Sequence, residues 1–288
     1  MMMMMMRFKM NFMIVWCVLQ CLAHSIRIPG GLNVPESCIH VVPKGVVVDE
    51  SYVIPKCERE DEVEGWNETM IQIYAADVHA QTNETQFRSM TSNVVVPPVP
   101  TEKSSQTVYF WPGFKSQSPE MGYPVIQPVL QFGEYNSKWQ LQSWFVDANS
   151  FWYPTVTADA IDVNVGDEIT MSMVLGDDDV WTISGIDLTT GQDSTLRITR
   201  KKAGKCDYNW AMLVNENINV NDHCDRMPDS TNGGVTFTNV TVNGVTQPQD
   251  FWTTRANCAD PANNCDCGNS ASVDSQTGDV TLGWKKSQ

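Results

Sequence analysis

From Thr107 onward the chain is written in short apolar runs that alternate with polar residues at a period of two. In Trp139-Gln140-Leu141-Gln142-Ser143-Trp144-Phe145, alternation puts Trp139, Leu141, Ser143 and Phe145 on one face, and Gln140, Gln142 and Trp144 on the other. The spacing predicts strands over Val108–Trp111, Val125–Phe132, Trp139–Val146, Glu168–Leu175, Val180–Leu188, Thr195–Thr199, Trp210–Val214, Val235–Val242 and Val280–Trp284. Turn residues punctuate them: Pro112-Gly113, Gly166-Asp167, Asp177-Asp178-Asp179, Thr190-Gly191, Asn232-Gly233-Gly234, Asn243-Gly244 and Thr277-Gly278-Asp279. No stretch keeps a 3.6-residue period over the length of a helix, and no repeat appears. Many short strands in series predict an all-β fold over residues 106–288: a two-sheet antiparallel β-sandwich of jelly-roll type.

The first residues are not part of that pattern. Arg7 and Lys9 precede the apolar run Asn11–Leu22, and Ala23-His24-Ser25 offers small residues for cleavage. Residues 1–25 therefore read as a secretory signal, because the run is shorter than the ~20 residues a spanning helix needs. Residues 26–105 hold four prolines before an extended ending, Pro97-Pro98-Val99-Pro100, and the acidic cluster Glu58, Glu60, Asp61, Glu62 and Glu64. They read as an N-terminal extension, either removed as a propeptide or packed on the sandwich. Gly45–Val48 and Met70–Ala75 are its candidate strands.

Composition narrows the function classes. The 288 residues carry 34 Asp and Glu against 19 Lys and Arg, a net charge of −15. So acidic a chain repels phosphate backbones and anionic lipid surfaces, which excludes nucleic acid and, after signal cleavage, membranes as partners. Relief of that repulsion on protonation favours stability in acid. Four His leave little for a His-rich metal site, and Cys265-Asp266-Cys267 lacks the spacing and second ligand pair of a structural zinc site. No metal and no cofactor are expected. Asp177-Asp178-Asp179 reads as a solvated hairpin tip.

Secretion permits disulfides, and an extracellular or cell-wall location follows. Beyond the signal there are seven Cys, an odd number that leaves one thiol free or bridged to another molecule. The expected pairs are Cys38–Cys57 and Cys206–Cys224, with Cys258, Cys265 and Cys267 sharing one bridge. Asn67, Asn83 and Asn239 each begin a glycosylation triplet.

Several segments in order resemble the glutamic peptidases, or eqolisins. These are Val129-Leu130-Gln131-Phe132-Gly133, Ser143-Trp144-Phe145 followed by Tyr153-Pro154, and Ile161-Asp162-Val163-Asn164-Val165-Gly166-Asp167-Glu168-Ile169. Thr189-Thr190-Gly191-Gln192, Cys206-Asp207-Tyr208-Asn209 and Val235-Thr236-Phe237-Thr238-Asn239 complete the set. The resemblance implies a concanavalin A-like sandwich and acid endopeptidase chemistry. In it a Glu activates water as general base and a Gln amide supports the oxyanion, worth on the order of 10²–10⁴-fold and 10²–10³-fold respectively. Gln131 falls on the family's catalytic Gln. Where the family has Asn-Ala-Glu-Trp-Ile-Val-Glu, this chain reads Asn209-Trp210-Ala211-Met212-Leu213-Val214-Asn215-Glu216, so counting from Cys206 and Asn209 puts Ala211 at the Glu position. Glu216 lies an odd offset further on, facing the cleft only if a bulge intervenes.

Three readings follow. The preferred one is a secreted, catalytically silent relative that binds a glycan or an extended peptide through Gln131, Gln140, Gln142, Trp144 and Asn215. The second is an active acid endopeptidase using Gln131 with Glu216. The third is a disulfide-linked wall or matrix protein.

Overall fold

The structure, a computed structural model, describes residues 25–29, 33–55, 74–82, 86–116, 123–133, 137–146, 155–204, 207–220, 223–229, 233–256 and 267–285. In chain order the strands are β1 (Ser25–Arg27), β2 (Asn33–Pro35), β3 (Ile39–Val42), β4 (Val47–Val48), β5 (Tyr74–Gln81), β6 (Ser89–Val95) and β7 (Thr107–Lys115). There follow β8 (Val125–Gly133), β9 (Trp139–Val146), β10 (Thr155–Ala158), β11 (Ile161–Val163), β12 (Glu168–Leu175), β13 (Val180–Asp187) and β14 (Asp193–Thr199). The last are β15 (Trp210–Ile218), β16 (Gly234–Val242), β17 (Val245–Thr246), β18 (Thr253–Arg255), β19 (Ser270–Val273) and β20 (Val280–Gly283).

They form the expected two-sheet sandwich. The front sheet runs β18-β5-β15-β7-β8-β9-β10-β3, with β11 also on β9. The back sheet runs β19-β20-β16-β6-β12-β13-β14-β4, with β17 on β16. Both are antiparallel except at one edge, where β3 lies parallel to β10 and β4 parallel to β14. The sheets are therefore mixed, because one short passage, Ile39 to Val48, closes the edge of both.

Residues 26–105 do not stand apart from the sandwich. β3 and β4 edge the two sheets, and β5 and β6 lie inside them. The boundary expected near residue 105 thus falls within the fold. β6 is missed in the sequence because Ser89-Met90-Thr91-Ser92-Asn93-Val94 carries few large apolar residues, yet its burial alternates strictly.

Alternate side chains of the two sheets meet in one core. Phe110, Phe114, Leu130, Trp139 and Leu141 come from the front sheet, and Met171, Met173, Trp181, Ile183 and Phe237 from the back. At one place the sheets approach closely enough to hydrogen-bond. Ser143 N–H donates to Ser194 Oγ at 3.0 Å, and Ser143 Oγ–H donates to the Ser194 carbonyl at 2.7 Å. Small residues permit this. Next to Ser194 in the ladder sits Gly185, where an added Cβ would stand 2.6 Å from Leu141 of the facing sheet.

The disulfide pairing differs from expectation. Cys224 bonds Cys267, their Cα atoms 5.4 Å apart, and not Cys206. A cysteine sulfur forms one such bond, so with Cys267 as its partner Cys224 is not available to Cys206. Cys38 is disulfide-bonded. Cys57, Cys206, Cys258 and Cys265 lie outside the described residues, as do Asn67 and Asn83. Asn239 is exposed at the register shift between Thr238 and Thr241 of β16.

Turn carboxylates hold several loops. Asp187 is buried, which by itself raises its pKa, but donors from Thr190 Oγ1 and the Thr189 and Thr190 amides outweigh this and lower it. Asp162 is lowered by Gln140 and Lys138, Asp193 by Lys44 and then Thr195, and Asp274 by the Thr277 and Gln276 amides. Each carboxyl is more acidic folded than unfolded. Its contribution is therefore full above the unfolded value of about 4 and is lost as pH falls through the folded value. Relief of the net negative charge acts in the opposite sense over the same range.

Two outcomes are expected. The melting temperature peaks near pH ~4–5 and declines below about pH 3, and Asp187→Asn flattens that decline, as differential scanning calorimetry across pH will measure. Gly185→Ala crowds Leu141 and lowers unfolding free energy by about 1–3 kcal/mol in urea titrations; an unchanged midpoint would show that the sheets can separate at no cost.

Candidate active site

The outer face of the front sheet carries the chemistry. On β8, Leu130 and Phe132 belong to the intersheet core, so Gln131 between them points outward. On β15, Ala211 and Leu213 face the core, whereas Trp210, Met212, Val214 and Ile218 join a second apolar cluster on the outer face. Glu216 keeps the outward parity of Met212, Val214 and Ile218, while Asn215 keeps the inward parity of Ala211.

This corrects the count from Cys206. The Ala211 methyl lies between the sheets, its strand neighbours being Ala80 and Phe114. No side chain at that position reaches the outer face. Asn215 is wholly buried with both amide atoms unpartnered, so it is no part of a ligand-facing surface. The carboxylate that faces outward from β15 is Glu216.

Register then sets Glu216 against Gln131. Glu216 stands opposite Tyr109 of β7, Tyr109 opposite Gln131 of β8, Gln131 opposite Gln140 of β9, and Gln140 opposite Asp162 of β11. The five residues form one row across the sheet. Glu216 and Gln131 are two strand spacings apart, roughly 9–10 Å between Cα atoms, with Tyr109 between them. The bulge that sequence reasoning required is not what turns Glu216 outward: the ladder with β7 runs unbroken and strand parity alone sets its facing, while the register shift between Asn215 and Glu216 concerns only β5.

Partners orient these groups. Trp111 Nε1–H donates to Glu216 Oε2 at 3.2 Å, and Glu216 is 0 % exposed. The Trp111 ring lies flat along the face, over Gly113, where a Cβ would come within 2.6 Å of it. Glycine at 113 thus gives the indole room to reach the carboxylate. Gln131 Nε2–H donates to Gln142 Oε1 at 3.1 Å, and Gln142 Nε2–H donates to the Ala158 carbonyl at 3.1 Å. Gln140 Nε2–H donates to Asp162 Oδ1 at 3.0 Å.

The face is not the wet surface that its amides suggest. Trp144 does point outward, but it is 4 % exposed, and Gln142 is 8 % exposed. Both amide atoms of Gln127 and the Trp144 N–H are buried without partners. The cover is the chain's own N-terminal section: Ile28, Val34 and Cys38 pack with Tyr109, Trp111, Val129, Trp144, Met212 and Val214. Neither Trp111 nor Tyr109 was singled out in the sequence, since nothing in a period-two strand distinguishes a core aromatic from one on the opposite face.

Because Glu216 is buried, its donor is consequential. Trp111→Phe keeps the ring and removes the N–H, and should cost about 1–3 kcal/mol in denaturant unfolding. In a Glu216→Gln background the same change should cost less, since a neutral amide tolerates the loss better.

A model of the Peptidase A4 family matches residues 76–282. Among solved structures, scytalidoglutamic peptidase with a peptide-based transition-state analogue superposes with a TM-score of 0.50 at 19% identity, over 73% of this chain and 98% of that one. SCP-B of the eqolisin family gives 0.48 at 16%, over 73% and 97%, and aspergilloglutamic peptidase from Aspergillus niger gives 0.42 at 20%, over 62% and 98%. No curated protein matches the chain in sequence. The matched residues span β5 to β20, the whole outward row from Glu216 to Gln131 included, and on that ground the chain belongs to the Peptidase A4, or eqolisin, family.

Proposed function

We propose that this chain is a secreted acid endopeptidase in which Glu216 is the general base and Gln131 the oxyanion donor. The observation that carries the reading is the shared row: an amide and a carboxylate on one face, in register, separated by a single strand. The signal-like segment 1–25 supports export.

The chemistry is general acid–base hydrolysis. A water between the two groups loses a proton to the Glu216 carboxylate as its oxygen bonds to the substrate carbonyl carbon. The carbonyl oxygen becomes an oxyanion and accepts a hydrogen bond from Gln131 Nε2. Protonated Glu216 then gives its proton to the amide nitrogen, the C–N bond breaks, and the carboxylate is regenerated. Trp111 Nε1–H holds one carboxylate oxygen and so orients the group. Two adjustments precede this: Gln131 must exchange its bond to Gln142 for the oxyanion, and the cover around Ile28 and Val34 must lift.

The second reading is a silent peptide-binding protein, favoured by Tyr109 standing between the dyad members. A glycan ligand is less suited to this face, because the amides of Gln131, Gln140 and Gln142 each already give an N–H to a partner within the sheet.

The test uses the full chain with Ile28→Ser and Val34→Ser, which loosen the cover. Cleavage of an unfolded protein substrate is expected in acid. Glu216→Gln should reduce the rate about 10²–10⁴-fold and Gln131→Ala about 10²–10³-fold. Cleavage that persists undiminished in Glu216→Gln removes the proposal, and saturable peptide binding without cleavage replaces it by the silent reading.

A further inference from the structure

At the far end of the same face, Lys115 and the Trp210 N–H have no acceptor among the described residues. Six residue pairs beyond the Glu216–Tyr109 row, Lys115 stands opposite Trp210, about 20 Å away along the strand. The Lys115 ammonium lies 5.7 Å from the Trp210 ring centroid and 5.5 Å from that of Tyr123. Among the described residues it has no carboxylate at ion-pair distance. Burial pushes its pKa down, nearby Arg255 pushes the same way, and Asp77 opposes them. The Trp210 indole N–H is buried and unpartnered.

The neighbouring strands add to the excess of donors. Asp77 is fully buried, and its two oxygens are taken by Arg255 Nε–H at 2.7 Å and His79 Nδ1 at 2.8 Å. His79 packs on Trp210 with ring centroids 5.2 Å apart. The Asp77 carboxylate is thus already taken by a guanidinium and an imidazole, in a protein whose net charge is −15. A partly buried ammonium without a counter-charge and a buried N–H without an acceptor each cost free energy. Both are satisfied by one kind of group, an anion with several acceptor lone pairs and no donor.

We infer that Lys115 and Trp210 form a carboxylate-binding subsite at the end of the front-sheet face, remote from the Gln131–Glu216 row. Resting on the reading of this face as a peptide trough, the ligand is the carboxylate of an extended peptide, at its chain terminus or on an acidic side chain. Aromatic rings flank the ammonium and hold it in place by cation–π attraction, so the charge meets the ligand without a large reorganisation. About six residues of extended chain span the distance from this subsite to Tyr109.

The experiment uses the unaltered full chain at pH ~6.5, with sodium acetate as probe and acetamide as its uncharged control. The Trp210 indole N–H resonance, identified by its loss in Trp210→Phe, should shift saturably with acetate and not with acetamide. Lys115→Met should weaken acetate about tenfold or more, and Lys115→Arg should retain most of the affinity. Equal responses to the two probes, no saturable shift, or an unchanged affinity in Lys115→Met each overturn the subsite. The source of the carboxylate is decided in the Ile28→Ser, Val34→Ser chain by three hexapeptides: free acid, C-terminal amide, and amide with an internal Glu. Preference for the free acid assigns the chain terminus, and preference for the Glu peptide assigns a side chain. Acetate binding in Glu216→Gln is expected to be unchanged, so loss of peptidase activity and loss of the subsite are read separately.

Discussion

The constraint around which the front sheet is organised is a carboxylate with no access to water. Glu216 emerges near the end of a nine-residue strand onto a face where an apolar cluster covers it from solvent. A charge in that setting needs donors, and Trp111 supplies one. The indole can do so only because position 113 has no side chain to displace it. One polar contact therefore ties the local choice of glycine, the orientation of the largest ring on the face, and the separation between β7 and β15. Removing any member leaves a buried charge short of a partner, which is far more costly than never having placed it there.

A sheet with two apolar faces needs two covers. The back sheet covers one, through a core that includes a direct Ser143–Ser194 contact. The chain's own N-terminal section covers the other through Ile28, Val34 and Cys38. That section does not merely rest on the fold, since its continuation into β3 and β4 closes one edge of both sheets. The two roles differ in permanence. Edge strands are held by ladder hydrogen bonds along their length, whereas the cover over Trp144 and Trp111 is a patch of side-chain packing. A disulfide at Cys38 marks the point where one gives way to the other.

Most of the strands were legible because period-two alternation is a property of a few adjacent residues. β8, β9, β12 and β13 stand almost where the pattern put them. β15 ran further than expected because Asn215 and Asn217 look like loop residues, and that extension is what carries Glu216. Gln131 faces outward, but the position counted from a cysteine, Ala211, faces the intersheet core. Counting assumes a constant spacing between landmarks, whereas the facing of a side chain depends on the parity of the strand that holds it. Asn215 was assigned to the cleft by the same error, and its amide lies instead between the sheets.

By itself the sequence determined the fold class and the alternation of faces, which follow from spacing along one strand, and its family-like segments singled out Gln131. Tertiary structure alone decided which of two apolar faces became core, which carboxylate shares a row with Gln131, and which cysteine meets Cys224. Those outcomes depend on register between strands far apart in the chain, and hydrogen-bonded ladders impose that register only when the whole sheet assembles.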